Sequence, residues 1–365
     1  MNRVAIVSWA TSQFAKDSGR SIFELACDPC ITILRSTAVL GRKPDGLLLS
    51  SCTSEQYSSA IVSEMLGLQP KVSQRIDNLC NSGTNAVATA YSLIASGLCE
   101  MVLVAGAEKA TSTGNKLIWD VTRGSFSFPV HWAAVFAKAH MRKYGTTEEQ
   151  MAMIAVTNRS NAAKNPSALM RTPVTLEQVM TSRKIVEPLK LLDCSAPCDG
   201  ASAVLLASDR IAREITDNPI WIKGIGQRTS SASFANAMGE DLTTIQSARM
   251  AARDAFEMAE TSPSRIDVAE VHDAFTILEI LAMEDLGFRE KGADPSQEIA
   301  VRVNPGGGIL GRGHPVGATG VAQVAEIAAQ LAGKARPSQV KECKQGLIHN
   351  LAAAGSSATV LIMGT

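Results

Sequence analysis

The residues best suited to chemistry in this chain fall in four short segments. In the first, Arg75-Ile76-Asp77-Asn78-Leu79-Cys80-Asn81-Ser82-Gly83-Thr84-Asn85-Ala86, one cysteine stands at the start of a helix rich in small residues. Asn and Ser favour helix starts, and Gly83 with Ala86, Ala88 and Ala90 leaves room for close backbone approach. A thiol at the first turn of a helix meets unpaired N–H groups and the positive dipole end, which lower its pKa below the free value of about 8.5. The same N–H groups can hold the oxyanion of a thioester under attack. Read alone, the segment fits a buried cysteine beneath a helix cap equally well.

The second segment, from Asn304 to Gly320, holds seven glycines in seventeen residues and one histidine, His314, at a rigid turn before a helix. Such a histidine can activate a thiol or donate to an oxyanion, or serve only as a structural turn. The run superficially matches a dinucleotide fingerprint, but no strand is expected directly before it and it lies late in the chain, so no nicotinamide cofactor is expected. The third segment, Glu270-Val271-His272-Asp273-Ala274-Phe275-Thr276, runs from a buried strand into a helix, where α/β proteins place active-site groups; a core histidine reads as well. The fourth, His349 to Ala358, is a small-residue hairpin that permits backbone approach to a substrate carbonyl.

The elements that must position these residues follow from periodicity. Strands are expected at Val4–Trp9, Gly46–Ser51, Met101–Gly106 and Ala201–Ser208, and helices at Ile22–Thr37 and Asn81–Ser96. This order implies a parallel sheet with crossover helices. From Thr111 to about Pro188 the chain turns polar and helical, with no clear strand, as a substrate-binding insert would. The pattern restarts after Pro219: strand Ile220–Ile225, helix Thr243–Met258, strand Val268–His272, helices Ile277–Leu286 and Gly317–Leu331, then strands Gly346–Asn350 and Ala358–Met363. At a constant offset of 234, Gly83, Val87, Ala88 and Ala95 fall on Gly317, Val321, Ala322 and Ala329, a faint repeat that also sets Cys80 opposite His314.

Composition narrows the class. The 365 residues hold 35 Lys+Arg and 35 Asp+Glu, so no global charge draws the chain to nucleic acid or anionic lipid. With 45% hydrophobic residues it is no disordered chain, and its 4% aromatics leave the core to Ala, Val, Ile and Leu. No signal peptide, spanning helix or targeting tail is expected, and a soluble cytoplasmic protein is. Eight cysteines are too sparse for a disulfide scaffold, and Cys27-Asp28-Pro29-Cys30 lacks the partners of a zinc site, so no metal centre is expected.

The Cys80 segment, the His272-Asp273-Ala274-Phe275 box, the Gly313-His314-Pro315-Val316-Gly317-Ala318-Thr319-Gly320 box and Tyr144-Gly145-Thr146-Thr147 together resemble the thiolase superfamily over the whole length. The resemblance is strongest to archaeal and bacterial relatives of sterol-carrier-protein-type thiolases. It implies an α/β thiolase fold: two similar βαβαβαββ halves in a five-layered αβαβα arrangement, at 1–216 and 217–365, with a helical loop domain inserted at about 111–190. It also implies condensation of two acetyl-CoA to acetoacetyl-CoA and the reverse thiolysis, with coenzyme A thioesters as substrates and no separate cofactor. Cys80 matches the acylated nucleophile, His314 the proton acceptor and enolate-binding histidine, and His272 its partner in that oxyanion hole. Gly355 matches the glycine whose N–H joins that of Cys80 in a second oxyanion hole. A homodimer or homotetramer is implied, as is a complex with a hydroxymethylglutaryl-CoA synthase and a small OB-fold zinc-ribbon protein.

One departure stands out. The second acid/base cysteine of such enzymes is replaced by Ala274, and the C-terminal loop Ala352-Ala353-Ala354-Gly355 offers none. Either His272 or His349 takes over proton transfer, or the protein runs only acyl transfer, or it is a partner subunit. His131 falls where some thiolase-like C-acyltransferases carry a histidine, and Arg183 and Lys184 are candidate phosphate donors for coenzyme A.

Overall fold

The computed structural model describes residues 3–37, 41–113, 120–126 and 128–365; positions 114–119 and 127 of the expected insert lie outside the described residues. The first half runs β1 (Val4–Thr11), α1 (Ile22–Thr37), β2 (Gly46–Ser50), α2 (Ser58–Met65), β3 (Val72–Ile76), α3 (Ser82–Ala95) and β4 (Met101–Glu108). The insert follows with α4 (Pro129–Tyr144), α5 (Glu148–Ala162), α6 (Leu176–Thr181) and a short hairpin of β5 (Lys184–Val186) and β6 (Leu189–Lys190) that the sequence does not announce. β7 (Gly200–Ser208) and α7 (Asp209–Ile215) complete this half.

The second half runs β8 (Ile220–Thr229), α8 (Phe234–Ala237), α9 (Gln246–Met258), β9 (Val268–Glu270), α10 (Thr276–Asp285), β10 (Arg302–Val303), α11 (Gly308–Arg312), α12 (Val316–Leu331), β11 (Gln345–Ala352) and β12 (Ser357–Gly364). Strands order as β10-β9-β11-β12-β8-β1-β7-β4-β2-β3, so each half carries the same five-strand sequence, first-fifth-fourth-second-third, meeting at β1 and β8. The sheet is mixed, not parallel as its early elements suggest: β2 is parallel to β3 and β4, while β7 runs antiparallel to β4 and β1. The insert between β4 and β7 returns the chain to the same end of the sheet, with Gly200 opposite Glu108, so β7 runs back against β4.

Two helices lie between the two half-sheets. Ala86, Val87 and Ala90 of α3 and Val321, Val324 and Ala328 of α12 pack on Leu48, Val104 and Leu206 from one side and Ile348, Leu361 and Met363 from the other. Outside, Leu25 and Ile33 of α1 and Val62 of α2 cover Leu47, Leu49 and Leu103. On the opposite face Ala248 and Ala255 of α9 and Ile277 and Leu281 of α10 cover Leu347, Val360 and Ile362. These are five layers, and strands covered on both faces read as continuous apolar runs, as β4 does.

The central pair touches backbone to backbone. A Cβ on Gly83 would lie 2.5 Å from the Val321 nitrogen, and one on Gly320 would lie 2.6 Å from the Thr84 nitrogen. Gly83→Ala and Gly320→Ala are therefore each expected to cost about 1–3 kcal/mol of stability, read as a lowered urea midpoint, because backbone cannot yield as a side-chain tip can.

Candidate active site

Cys80 lies at the turn joining β3 to α3, behind Leu79 with its left-handed φ of 49°. Side chains lock the turn: the Ser82 hydroxyl accepts from the Asn78 amide at 2.7 Å and donates to the Leu79 carbonyl at 2.6 Å. Asn78 and Asn81 side-chain amides both donate to the Ser357 hydroxyl, at 3.0 and 3.2 Å, stapling the Cys80 turn to the start of β12.

His314 enters from the glycine-rich segment. Its amide donates to the Ala196 carbonyl at 2.9 Å, and its ring Nδ1 is 2.8 Å from the Thr319 hydroxyl, which leaves Nε2 as the uncommitted nitrogen. His272 is buried at the end of the β9 segment, its ring edge-on to that of His314 with centroids 5.5 Å apart, and its Nδ1 has no hydrogen-bond partner among the described residues. One donor atom each from Cys80, His272 and His314 lies within 4.8 Å of the others. Among the described residues this is the one set of three His, Cys or carboxylate side chains close enough to hold a metal ion.

The glycine run is shaped by a carboxylate of the chain itself. Asp273 accepts from the Ile309 and Leu310 amides at 2.6 and 3.2 Å, and a Cβ on Gly308 would sit 2.2 Å from its Oδ2. A two-residue strand, β10, does precede the run, contrary to the sequence reading, yet the run's Ile309 and Leu310 amides meet this carboxylate.

Burial governs the charges. Desolvation pushes the Cys80 thiol up to about 12, with Glu108 adding in the same direction, although the residue is partly exposed. The Cys80 and Ala353 amides, both aimed at the sulfur, oppose this only in part. The sequence-based expectation of a helix-lowered thiol is thus overturned: Cys80 precedes α3, and loss of water outweighs the amide field. Desolvation likewise pushes His314 down to about 4 and His349 to about 3, and holds His272 well below its ordinary value. At neutral pH the site rests as a thiol among neutral imidazoles.

The glycine expected in the second oxyanion hole is engaged within its own hairpin. The Gly355 N–H is bonded to the Ala352 carbonyl at 3.0 Å, inside the hairpin, and the second amide beside the Cys80 sulfur is a different one. Ala353 supplies that amide, from a left-handed φ of 50°. Sequence reading missed it because alanine does not announce a left-handed turn; the run of small residues was the available signal. Gly355, at φ 84°, makes the tight bend against Ile245 instead.

Other expected residues fall elsewhere. His349 is buried beside His272, whose amide reaches its Nδ1 at 3.5 Å, while its Nε2 has no partner among the described residues. His131 sits at the start of α4, its Nδ1 near the Phe128 backbone and its ring against Phe126. Arg183 and Lys184 are exposed on the insert hairpin, Lys184 lying 3.8 Å from Glu187. Neither lines the cleft beside the β11–β12 hairpin, formed by Phe136, Ser230, Ser231, Ile245, Ala354 and Gly355. Ala274 is buried in the apolar cluster of the outer layer. Iodoacetamide labelling of Cys80, read by peptide mass spectrometry, is expected to keep rising to a pH of about 10. An inflection near about 6.5 would instead mark a resting thiolate–imidazolium pair.

Two family models match: "Thiolase, N-terminal domain" over residues 46–210 and "Thiolase C-terminal domain-like" over residues 226–365. An acetyl-CoA acetyltransferase of Methanothermobacter thermautotrophicus is 37% identical, with 99% of each chain covered. Sterol carrier protein 2 of Oryctolagus cuniculus is 32% identical over 78% of this chain and 57% of its own length. The solved structure of an Ltp2-ChsH2(DUF35) aldolase superposes with a TM-score of 0.87 at 26% identity, covering 100% of this chain and 98% of that one. The Cys80 turn, the histidine pair and these matches agree, and the chain belongs to the thiolase family.

Proposed function

We propose that this protein is an acyl-CoA C-acyltransferase that condenses two acetyl-CoA to acetoacetyl-CoA and runs the reverse thiolysis through a Cys80 acyl-enzyme. The observation that carries this reading is the meeting of the Cys80 sulfur with two backbone amides and two neutral histidines. The similarity to an acetyl-CoA acetyltransferase supports the choice of acyl group.

In the acylation half, His314 Nε2 accepts the Cys80 proton as sulfur adds to the thioester carbon. The carbonyl oxygen becomes an oxyanion against the Cys80 and Ala353 amides. Collapse expels the coenzyme A thiolate, which takes the proton back from His314. In the condensation half, the methyl group of a second acetyl-CoA loses a proton, and its enolate oxygen lies against His272 and His314. Its carbon then attacks acetyl-Cys80 and releases the thiolate, which is reprotonated. His272 Nδ1 and His349 Nε2, both without partners among the described residues, are the nitrogens available for that proton.

Ala274 favours a second reading, since a buried methyl group cannot move a proton. On that reading the protein transfers acyl groups without thiolysis, or serves as a subunit within a multi-protein complex. The similar aldolase structure pairs with a DUF35 protein, which supports a partner here too. The proposed assembly is a homodimer or homotetramer, with a hydroxymethylglutaryl-CoA synthase and a small OB-fold zinc-ribbon protein as candidate companions. Acetyl-CoA treatment is expected to leave an acetyl group on Cys80 detectable by mass spectrometry, and His314→Ala to slow acetoacetyl-CoA thiolysis by roughly 10²–10⁴-fold. An unmodified Cys80 would sink the acyl-enzyme; an adduct without thiolysis would select the second reading.

A further inference from the structure

The insert reaches the catalytic histidines through one side chain. Asn158, buried on α5, uses one amide nitrogen twice: Nδ2 donates to Asp273 Oδ2 at 2.8 Å and to Glu279 Oε2 at 2.6 Å. Asp273 directly follows His272 in the chain. Its carboxylate also grips the first amides of α11, the short helix that ends two residues before His314. Glu279 in turn accepts from the Asn304 side chain at 2.7 Å, whose oxygen receives the Val271 amide at 2.9 Å. Asp273 is therefore the node joining both histidines, and Asn158 is the insert's hold on that node.

The packing is unforgiving there. A Cβ on Gly311 would come 2.5 Å from the Ala162 side chain and 2.8 Å from the Asn158 carbonyl, and one on Gly307 would meet Ala162 at 2.5 Å. Helix α5 thus lies flush on the glycine run. The surroundings are acidic: Glu270, Asp273 and Glu279 are all held protonated more readily than usual by burial, and Arg312 is committed to Glu270 at 3.0 Å. A neutral double donor between Asp273 and Glu279 bridges them without adding charge.

We infer that Asn158 is a positioning residue, which from the insert clamps Asp273 onto α11 and so fixes the His272–His314 geometry around Cys80. This rests on the acyl-enzyme reading for its effect on turnover, though not for its effect on the thiol. The test compares full-length wild type with Asn158→Ala, Asn158→Asp, the donor–acceptor exchange Asn158→Asp/Asp273→Asn, which returns a donor to the 158–273 contact, and Asn165→Ala. The last removes a contact from the same insert to the Gly306 carbonyl without touching Asp273. The readouts are the iodoacetamide labelling rate of Cys80, by peptide mass spectrometry, and kcat and KM for acetyl-CoA.

Asn158→Ala and Asn158→Asp are expected to lower the labelling rate and kcat by about tenfold or more, with KM shifted less than about threefold. The exchange variant should return both to within about threefold of wild type, and Asn165→Ala should lower the melting temperature without changing labelling. An Asn158→Ala protein that melts and labels like wild type would overturn the inference, as would an exchange variant no better than Asn158→Asp. Should both single variants fail to fold, the exchange variant decides alone: near-wild-type labelling supports the clamp, and lost labelling overturns it. A wild type that labels but shows no turnover removes the acyl-enzyme reading, while the labelling comparison still judges the clamp.

Discussion

Everything at this site depends on how closely α3 and α12 approach. Cys80 lies just ahead of one helix and His314 just ahead of the other, so the distance between the thiol and the imidazole is set by the crossing of their helices. Only glycine at 83 and 320 lets the two backbones touch there. Larger residues would hold the helices apart by the width of a side chain, and a proton transfer that needs hydrogen-bond reach would fail. The low aromatic content follows the same logic, because a central layer built on backbone contact has room for Ala and Val and little else.

The electrostatic character of the site has one physical source as well. Burying Cys80, His272, His314 and His349 within the fold removes the water that would favour their charged forms. The amides of Cys80 and Ala353 do not produce a resting thiolate against that cost. Their value lies later, when negative charge develops on a bound carbonyl oxygen in surroundings of low dielectric.

Much of this was legible in the residues. The Ile22–Thr37 helix coincides with the observed α1, and the weak 234-residue repeat reflects two halves of identical strand order. The Cys80, His272 and His314 segments converge as their chemistry suggested. What escaped has physical reasons. Strand β3 carries a polar, half-exposed pattern because it lies at the edge of the sheet, so no apolar run marks it. The Ala353 amide depends on a backbone angle that alanine hides, and the Asp273–Asn158 link joins residues 115 positions apart. Side-chain types in sequence can name a nucleophile or a base, but backbone donors and long-range clamps exist only once the chain has folded.

Among the described residues the two halves share little along their common sheet edge, where β1 and β8 pair through Ala5 with Trp221 and Ile6 with Ile220. Yet Cys80 belongs to the first half, while both histidines and the Ala353 amide belong to the second. Each half folded in isolation would be chemically mute. Slippage at the seam would silence the protein while its strands and helices remained in place. Turnover thus serves as a gauge of register between the halves, finer than any spectroscopic measure of helix content.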